Sequence, residues 1–590
     1  MIGDDESPLQ ISNLTFGDGT QVDTGDADII VLVGPNNVGK TRTLQEIEQF
    51  LKQPRIDERS LFALRDISVK RISSGEQLVQ WLRGHRPVLK FDPPQGDHVV
   101  TFSGQGERLQ LDAVPGHWAA GDRQWLGPLG SHLVRTLYCS DRLGYLNNAQ
   151  KLEYGAQPSQ PLHYLIENER LLSDFRDAFA KAFRMNLIID GFGNSIQMRA
   201  SHTLTQDDFS STTDNGIASA EVMARINGVP PIHVQSDGVR SFTGILLTLL
   251  AGQFPLVLID EPEAFLHPPQ ARLLGQHLAQ WHRRGQVFIA THSLDVLLGL
   301  IEKAPERVLI VRLTRSAGVA SPHILPPSSL ANISRDPLLR YSRVLDGLFH
   351  HAVILCEAER DCTFYAASLD EAGERSGLSF SPRDVLFVPG GGKDGFPRMI
   401  KTLKAVSVPA VVIPDIDLLD NEGKLRTLVE AVGGDWNSFE SRYRIATESF
   451  RRPRPGITNA QVLKAVEDVL RPIAAEQYDH KTKEAVRVAM RVNPSPWQEL
   501  KDYGMDAFKR QARKEAEECV RQLRDLGIVL VERGELENLA PLVESRKGPG
   551  WIKSALEEKA YRDEPAQNHI ARVVEAIERL LGEDSSAAHG

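Results

Sequence analysis

Cysteine is scarce in this 590-residue chain: Cys139, Cys356, Cys362 and Cys519 are scattered, without the close pairing of a zinc ligand set. That excludes a disulfide scaffold, argues against a structural zinc site and suits a reducing compartment. Long apolar runs are missing too. No stretch approaches the roughly 18 residues of a membrane helix, and the opening MIGDDESPLQ has neither the basic segment nor the apolar core of a secretory signal. The expectation is a cytoplasmic protein with no membrane partner. A sustained heptad pattern is lacking, which excludes a long coiled-coil arm. Net positive charge is also absent, at −10 overall, so any nucleic-acid surface has to be local. What is present, 41% hydrophobic and 25% charged residues, is ordinary globular material. The length calls for about three to five units.

Ala27 to Val33 (ADIIVLV) reads as a buried strand, and it runs into Gly34-Pro-Asn-Asn-Val-Gly39-Lys40-Thr41, a full GxxxxGK[ST] loop, with the helix TRTLQEIEQFL behind it. Glycines let backbone N–H groups wrap phosphates, with Gly34, Asn37 and Gly39 in the cradle. Lys40 reaches the β/γ-phosphates and Thr41 ligates Mg²⁺. Residues 55 to 135 alternate in short runs broken by Gly and Pro, which predicts an antiparallel β insertion. Arg135 to Tyr138 reads as a strand and Gln160 to Arg184 as a helix. Arg142 between them is a candidate nucleotide contact or a solvated arginine.

The stretch PLVLIDEPEAFLH (Pro255 to His267) delivers Asp260 and Glu261 from the end of an unbroken apolar strand. An aspartate there suits Mg²⁺ and the glutamate after it an attacking water, although acids also favour a helix start on dipole grounds. Ser236 to Ser241 opens the helix FTGILLTLLAG, so Ser236 and Gly238 can meet phosphate through exposed N–H groups, or form a turn. The strand Gln286 to Ala290 ends in Thr291-His292-Ser293, placing His292 where it can bond a γ-phosphate or water.

In this order GPNNVGKT, the Ser236 loop, DEPEAFLHP and ATHS resemble the Walker A, signature, Walker B and switch-histidine elements of ABC-type ATPases. The resemblance is to the AAA-type branch found in SMC-related and OLD-type proteins. It covers Ile11 to Arg312 and implies ATP, with the signature loop acting on nucleotide held by a second copy. At least a homodimer follows. The wording departs from LSGGQ, which leaves Asp237 and Arg240 without an assigned part.

After a Pro- and Ser-containing connector, Ala352 to Cys356 (AVILC) ends at Glu357, with Asp361 on the helix that follows. Ala410 to Ile413 (AVVI) ends in Pro414-Asp415-Ile416-Asp417. Two buried strands bringing these acids to one sheet edge concentrate charge that divalent metal can compensate, a setting for phosphodiester cleavage. The pattern resembles the TOPRIM fold of topoisomerases, primases and OLD-family nucleases. Glu357-Ala358 stands where EG is usual, and Val388 to Asp394 resembles the glycine-lysine element of OLD-type domains. Lys393 there meets a phosphate or sits on a turn. The basic stretch Ser441 to Pro455, with Tyr443 and Phe450, suits a DNA backbone or a solvated loop. Residues 462 to 526 read as a helical cap or dimerisation arm. Gly527 to Val531 returns to strand, and the OLD resemblance then implies an acid, Glu535 or Glu537, at a second metal site and a lysine beyond it, Lys547. The tail EDSSAAHG reads as disordered.

The fold expected is α/β: an ABC-type P-loop ATPase domain over 1–315 with a β-rich and helical insertion at about 55–230, a connector 316–350, a TOPRIM Rossmann-like domain over 351–560 with a helical insertion at about 456–526, and a C-terminal helix and tail over 561–590. The function implied is an ATP-regulated DNA endonuclease or nickase of the OLD family in anti-phage defence, using Mg²⁺ or Mn²⁺. Glu357, Asp361, Asp415, Asp417, Glu535 and Glu537 are the nuclease metal candidates; Thr41 and Asp260 are those of the nucleotide. Glu261, His292 and Lys547 join the catalytic set. A helicase or other defence protein is a candidate partner. Alternatives are a non-nucleolytic ATPase sensor and a RecF- or SMC-like maintenance ATPase.

Overall fold

The computed structural model describes residues 7–587 apart from 26, 58–60, 92–95, 102–106, 122–123, 140–141, 143–145, 147, 154, 210–218, 282–284, 317, 326–342, 453–457, 475–476, 491–495 and 544–549. The chain forms two compact units, Met1–Phe349 and His350–Ala587. Among the described residues no helix is long and apolar enough to cross a membrane.

The first unit is built on a six-stranded sheet in the order Val319–Leu325, Val308–Ser316, Ile29–Val33, Gln286–Ala290, Leu256–Asp260, Val134–Leu137. Every neighbouring pair is parallel except Val308–Ser316 with the edge strand Val319–Leu325. The runs IIVLV and QVFIA are buried at every residue, as strands covered on both faces must be. Register sets Asp260 opposite Ala290, and Ala290 opposite Leu32, so three strands end at one edge. That edge carries the phosphate loop, Glu261 and His292.

Behind the loop the helix Lys40–Lys52 buries Leu44, Ile47, Phe50 and Leu51 at helical spacing. Glu46, wholly buried on the same helix, accepts from the backbone N–H groups of Phe62, Ala63 and Leu64 at 2.7, 2.9 and 2.7 Å. It thereby fixes the chain entering Leu64–Arg71, which pairs antiparallel with Leu9–Phe16. The expected β insertion holds antiparallel strands, Val88–Leu89, His98–Thr101 and Glu107–Gln110. It also holds helices that alternation did not reveal, Gly75–His85 and Val114–Ala120. The single helix read over 160–184 is two, Pro161–Glu167 and Glu169–Phe183, because Asn168 caps the second through Leu171 N.

The second unit has a parallel sheet ordered Val385–Pro389, Ala352–Cys356, Ala410–Ile413. Gly527 to Val531 lies beside it through parallel bridges Val412↔Ile528 and Asp415↔Val531, an irregular fourth member of the sheet. The helices Glu359–Ser376 and Glu564–Ala587 pack on it, with Phe364, Trp551, Ile570 and Ile577 in the core. That last helix continues into EDSSAAHG, the segment read as disordered, as far as Ala587.

The basic stretch after Ser441 corrects its reading. It lies on the helix Trp436–Arg451, whose aromatic face, Tyr443 and Phe450 included, is buried. Its arginines are paired: Arg442 with Glu518 at 2.8 Å, Arg451 with Glu422 at 2.9 Å and Arg452 with Glu448 at 2.5 Å. Arg454 lies outside the described residues.

Replacing Glu46 by Ala leaves three N–H groups, two of them buried, without this acceptor, and is expected to destabilise the first unit by about 3 kcal/mol. Urea unfolding checks this; a midpoint unchanged from wild type contradicts the anchoring role.

Candidate functional site

At the nucleotide edge the loop turns through positive φ at Gly34 (139°), Asn37 (63°) and Gly39 (105°). A Cβ on Gly34 would lie 2.4 Å from the Leu313 carbonyl oxygen, so the loop passes that strand too closely for any side chain. Lys40 Nζ donates to the Gly34 and Pro35 carbonyls, each at 2.7 Å. Burial holds its pKa down to about 8, although Glu261, Glu263 and Asp260 pull upward. Thr41 Oγ1 donates to Asp260 Oδ1 at 2.8 Å, bringing together the two Mg²⁺ candidates. Burial raises the Asp260 pKa, and that of Glu263.

Glu261 sits at φ 46° with its N–H bonded to Ala290 O at 2.8 Å. His292 Nε2 is 3.9 Å from Glu261 Oε1, and burial followed by Lys40 lowers its pKa. Two further residues hold this arrangement. Glu263 accepts from Thr291 Oγ1 at 2.9 Å and His292 N at 2.7 Å, joining the acidic turn to the histidine turn. Arg142 corrects the solvated reading: it is wholly buried and donates from Nη2 to Glu261 O at 2.8 Å. Ser236 precedes the helix Asp237–Ala251, and Gly238 allows it close to Phe265 O, 2.5 Å from where a Cβ would stand. Asp237 and Arg240 pair with each other at 3.0 Å.

In the second unit, carboxylate oxygens of Glu357, Asp415 and Asp417 lie within 4.8 Å of one another. Parallel register places them: Cys356 faces Ile413, and the acids follow both strand ends. Asp415 N donates to Glu357 Oε1 at 3.0 Å, fixing the two turns together. Burial first, then Glu357 and Asp417, raises Asp415 to about 8. Burial likewise raises Glu357. Asp417 is buried too, but bonds from Lys393 and Lys501 hold it below the usual carboxylate value. Lys393 Nζ bonds Asp417 Oδ1 and lies 3.7 Å from Glu357 Oε1. An all-carboxylate trio with unbalanced charge is a donor set for a hard divalent cation.

Asp361, Glu535 and Glu537 lie outside that trio, and Asp361 accepts from Ala358 N at 2.9 Å. Arg360 links Asp361 Oδ1 at 3.4 Å with Glu537 Oε1 at 3.2 Å, and Glu537 is the more buried of the two late acids. Lys547 falls outside the described residues. Lys501, in the segment read as a cap or arm, enters the site unannounced by any motif.

Two family models match the chain. The AAA domain, putative AbiEii toxin, Type IV TA system, covers residues 170–299, and the Overcoming lysogenization defect protein-like TOPRIM domain covers residues 348–417. The fold thus joins an ATPase domain to a TOPRIM domain. An AAA ATPase domain followed by an OLD-like TOPRIM domain is the OLD-family architecture, and this chain has it. No curated protein matches. Among solved structures, the SMC head domain from Thermotoga maritima shares 14% identity over 54% of this chain and 97% of its own, with a TM-score of 0.26. The Smc head domain with an extended coiled coil bound to the C-terminal domain of ScpA, from Pyrococcus furiosus, shares 12% over 55% and 99%, with a TM-score of 0.30.

Asp415, with its raised pKa, binds its proton more tightly folded than unfolded. Its stabilising contribution is therefore complete below about pH 4, and falls as pH rises toward about 8. Asp415→Asn is expected to raise the Tm of metal-free protein at pH 8 by a few degrees, with a smaller gain at pH 5. Thermal melts in chelator at both pH values check this; an equal gain at each contradicts it.

Proposed function

We propose that the chain is an ATP-regulated, divalent-metal-dependent DNA endonuclease or nickase that works as a homodimer or larger homo-oligomer. The observation that carries the reading is the trio Glu357, Asp415 and Asp417, three carboxylates within 4.8 Å at one sheet edge. Glu357, Asp415 and Asp417 would hold Mg²⁺ or Mn²⁺, with Asp361, Glu535 and Glu537 serving a second cation. A bound divalent cation supplies positive charge that polarises a scissile phosphodiester and eases deprotonation of the attacking water. Lys393, already beside Asp417 and Glu357, gives the protein a fixed positive charge for the phosphate. Asp417 is buried and Glu357 and Asp415 are half-buried, which limits the bulk water that would screen these interactions.

The nucleotide site supplies regulation. Lys40 and the loop N–H groups bind the ATP phosphates, and Thr41 with Asp260 forms the Mg²⁺ position. Glu261 and His292 stand where water meets the γ-phosphate. Ser236 and Gly238 would close on ATP held by a second copy. The OLD resemblance supports DNA as substrate, anti-phage defence as setting and a defence-system protein as partner.

Supercoiled plasmid with Mg²⁺ or Mn²⁺, with and without ATP, tests the reading. Wild type is expected to nick it, while the Asp415→Ala/Asp417→Ala double variant falls to background and still binds ATP. Retained nicking by the double variant sinks the assignment. Regulation has its own test in the same assay. Glu261→Gln is expected to slow ATP hydrolysis, accumulate the ATP-bound form and change the nicking rate, whereas Lys40→Ala removes the response to ATP and keeps metal-dependent cleavage. A nicking rate insensitive to both variants contradicts ATP control.

A further inference from the structure

The helix Pro496–Tyr503 belongs to the inserted helical stretch, yet its backbone is docked against the acidic edge. Lys501 O accepts from Asn538 Nδ2 at 3.0 Å. Gly534 stands at φ 113°, and a Cβ there would lie 2.0 Å from Lys501 O, so the approach needs glycine. The Gly534 carbonyl in turn accepts at 3.0 Å from the N–H of Ile416, the residue between Asp415 and Asp417. A second glycine repeats the device one turn on. Gly504 has φ 56°, a Cβ there would lie 2.1 Å from Glu532 O, and Met505 N donates to that same oxygen at 2.8 Å. Leu500 is fully buried beneath the contact. The helix is therefore seated by its main chain rather than by long surface side chains.

Seated so, it delivers Lys501 Nζ to 2.6 Å from Asp417 Oδ2, while Lys393 bonds the other oxygen of the same carboxylate. The neighbouring charges on Lys501 are Asp417, Glu535 and Asp415. Its side chain is still 35% exposed, so the ammonium can reach a ligand without breaking the backbone contacts. Charge balance gives it a use. In the metal-bound site the three carboxylates, a divalent cation, Lys393 and Lys501 would sum to one positive charge, which a single phosphodiester neutralises. A cation on Asp417 competes with and repels both ammoniums, and Lys501, bonded to no other carboxylate of the trio, is the one placed to let go.

We infer that Lys501 is a positioning residue of the acidic site contributed by the inserted helix, holding Asp417 until a divalent cation takes that carboxylate and then binding the substrate phosphate. The first half concerns metal binding alone, and the second rests on the nuclease reading. The experiment uses full-length protein with Mn²⁺ titrated by electron paramagnetic resonance, together with plasmid nicking at saturating Mn²⁺, for wild type, Lys501→Met and Lys501→Arg. Circular dichroism and ATP binding confirm that each variant is folded. Lys501→Met is expected to bind Mn²⁺ more tightly, having lost the competing cation, and to nick more slowly, each by roughly tenfold; Lys501→Arg restores most of both. Unchanged Mn²⁺ affinity in Lys501→Met overturns the hold on Asp417. Tighter Mn²⁺ binding with equal or faster nicking overturns the phosphate role and leaves Lys501 a plug. If every form binds Mn²⁺ and none nicks, the phosphate half falls with the nuclease reading, while the Mn²⁺ affinities still decide the first half.

Discussion

Everything in the second unit depends on an electrostatic constraint: carboxylates are forced together where buried parallel strands end. The strands Ala352–Cys356 and Ala410–Ile413 are buried almost throughout, and their register leaves little freedom to the residues just past their ends. Glu357 and Asp415 must share one edge. Asp415, raised to about 8, records the strain of that placement. A hydrophobic core gains nothing from such an arrangement, since uncompensated buried charge costs folding free energy. Compensation comes partly from within, through the lysines on Asp417, and a divalent cation would supply the rest.

The nucleotide edge solves the mirror-image problem. Lys40 is a buried cation lowered to about 8, surrounded by Asp260, Glu261 and Glu263. The three acids are not equivalent. Asp260 is committed to Thr41, and Glu263 to Thr291 and His292 N. Glu261 is held through its backbone, by Arg142 and the Ala264 N–H on its carbonyl and by Ala290 on its own N–H. Its carboxylate lies 3.9 Å from the His292 ring, an arrangement that suits the water-directed role proposed for the pair. Glu263 and Arg142 thus hold the frame in which the Glu261 carboxylate and the His292 ring face each other.

The sequence made the central strands of both sheets legible because unbroken β-branched runs leave few alternatives to a buried parallel strand. Glu357, Asp415 and Asp417 came with them, since acids directly after such runs must lie at the sheet edge. What stayed hidden was whatever depends on contacts distant in the chain. Lys501 sits on an ordinary charged helix, and only the close backbone approach at Gly534 brings it to Asp417. Glu263 is one of three acids in DEPEAF with nothing local to single it out. Arg142 looked like a loop arginine because burial is not written in its neighbours.

The helix Trp436–Arg451 carries a local pattern that left two readings open, a DNA backbone surface or a solvated loop. It is a helix, and at helical spacing the aromatics share a face and that face is core, so they are not available for stacking on bases. Arg442, Arg444, Arg451 and Arg452 then meet Glu518, Glu422, Glu440 and Glu448. In a chain of net charge −10, positive charge for a phosphodiester has to be local, and on the proposed reading the acidic site supplies part of it. There Lys393 and Lys501 are tied to Asp417, and a cation competing for that carboxylate would free Lys501 for the phosphate of the proposed substrate. On the proposed reading, metal binding and substrate binding would be one linked equilibrium at this edge, because the same ammonium group would serve both.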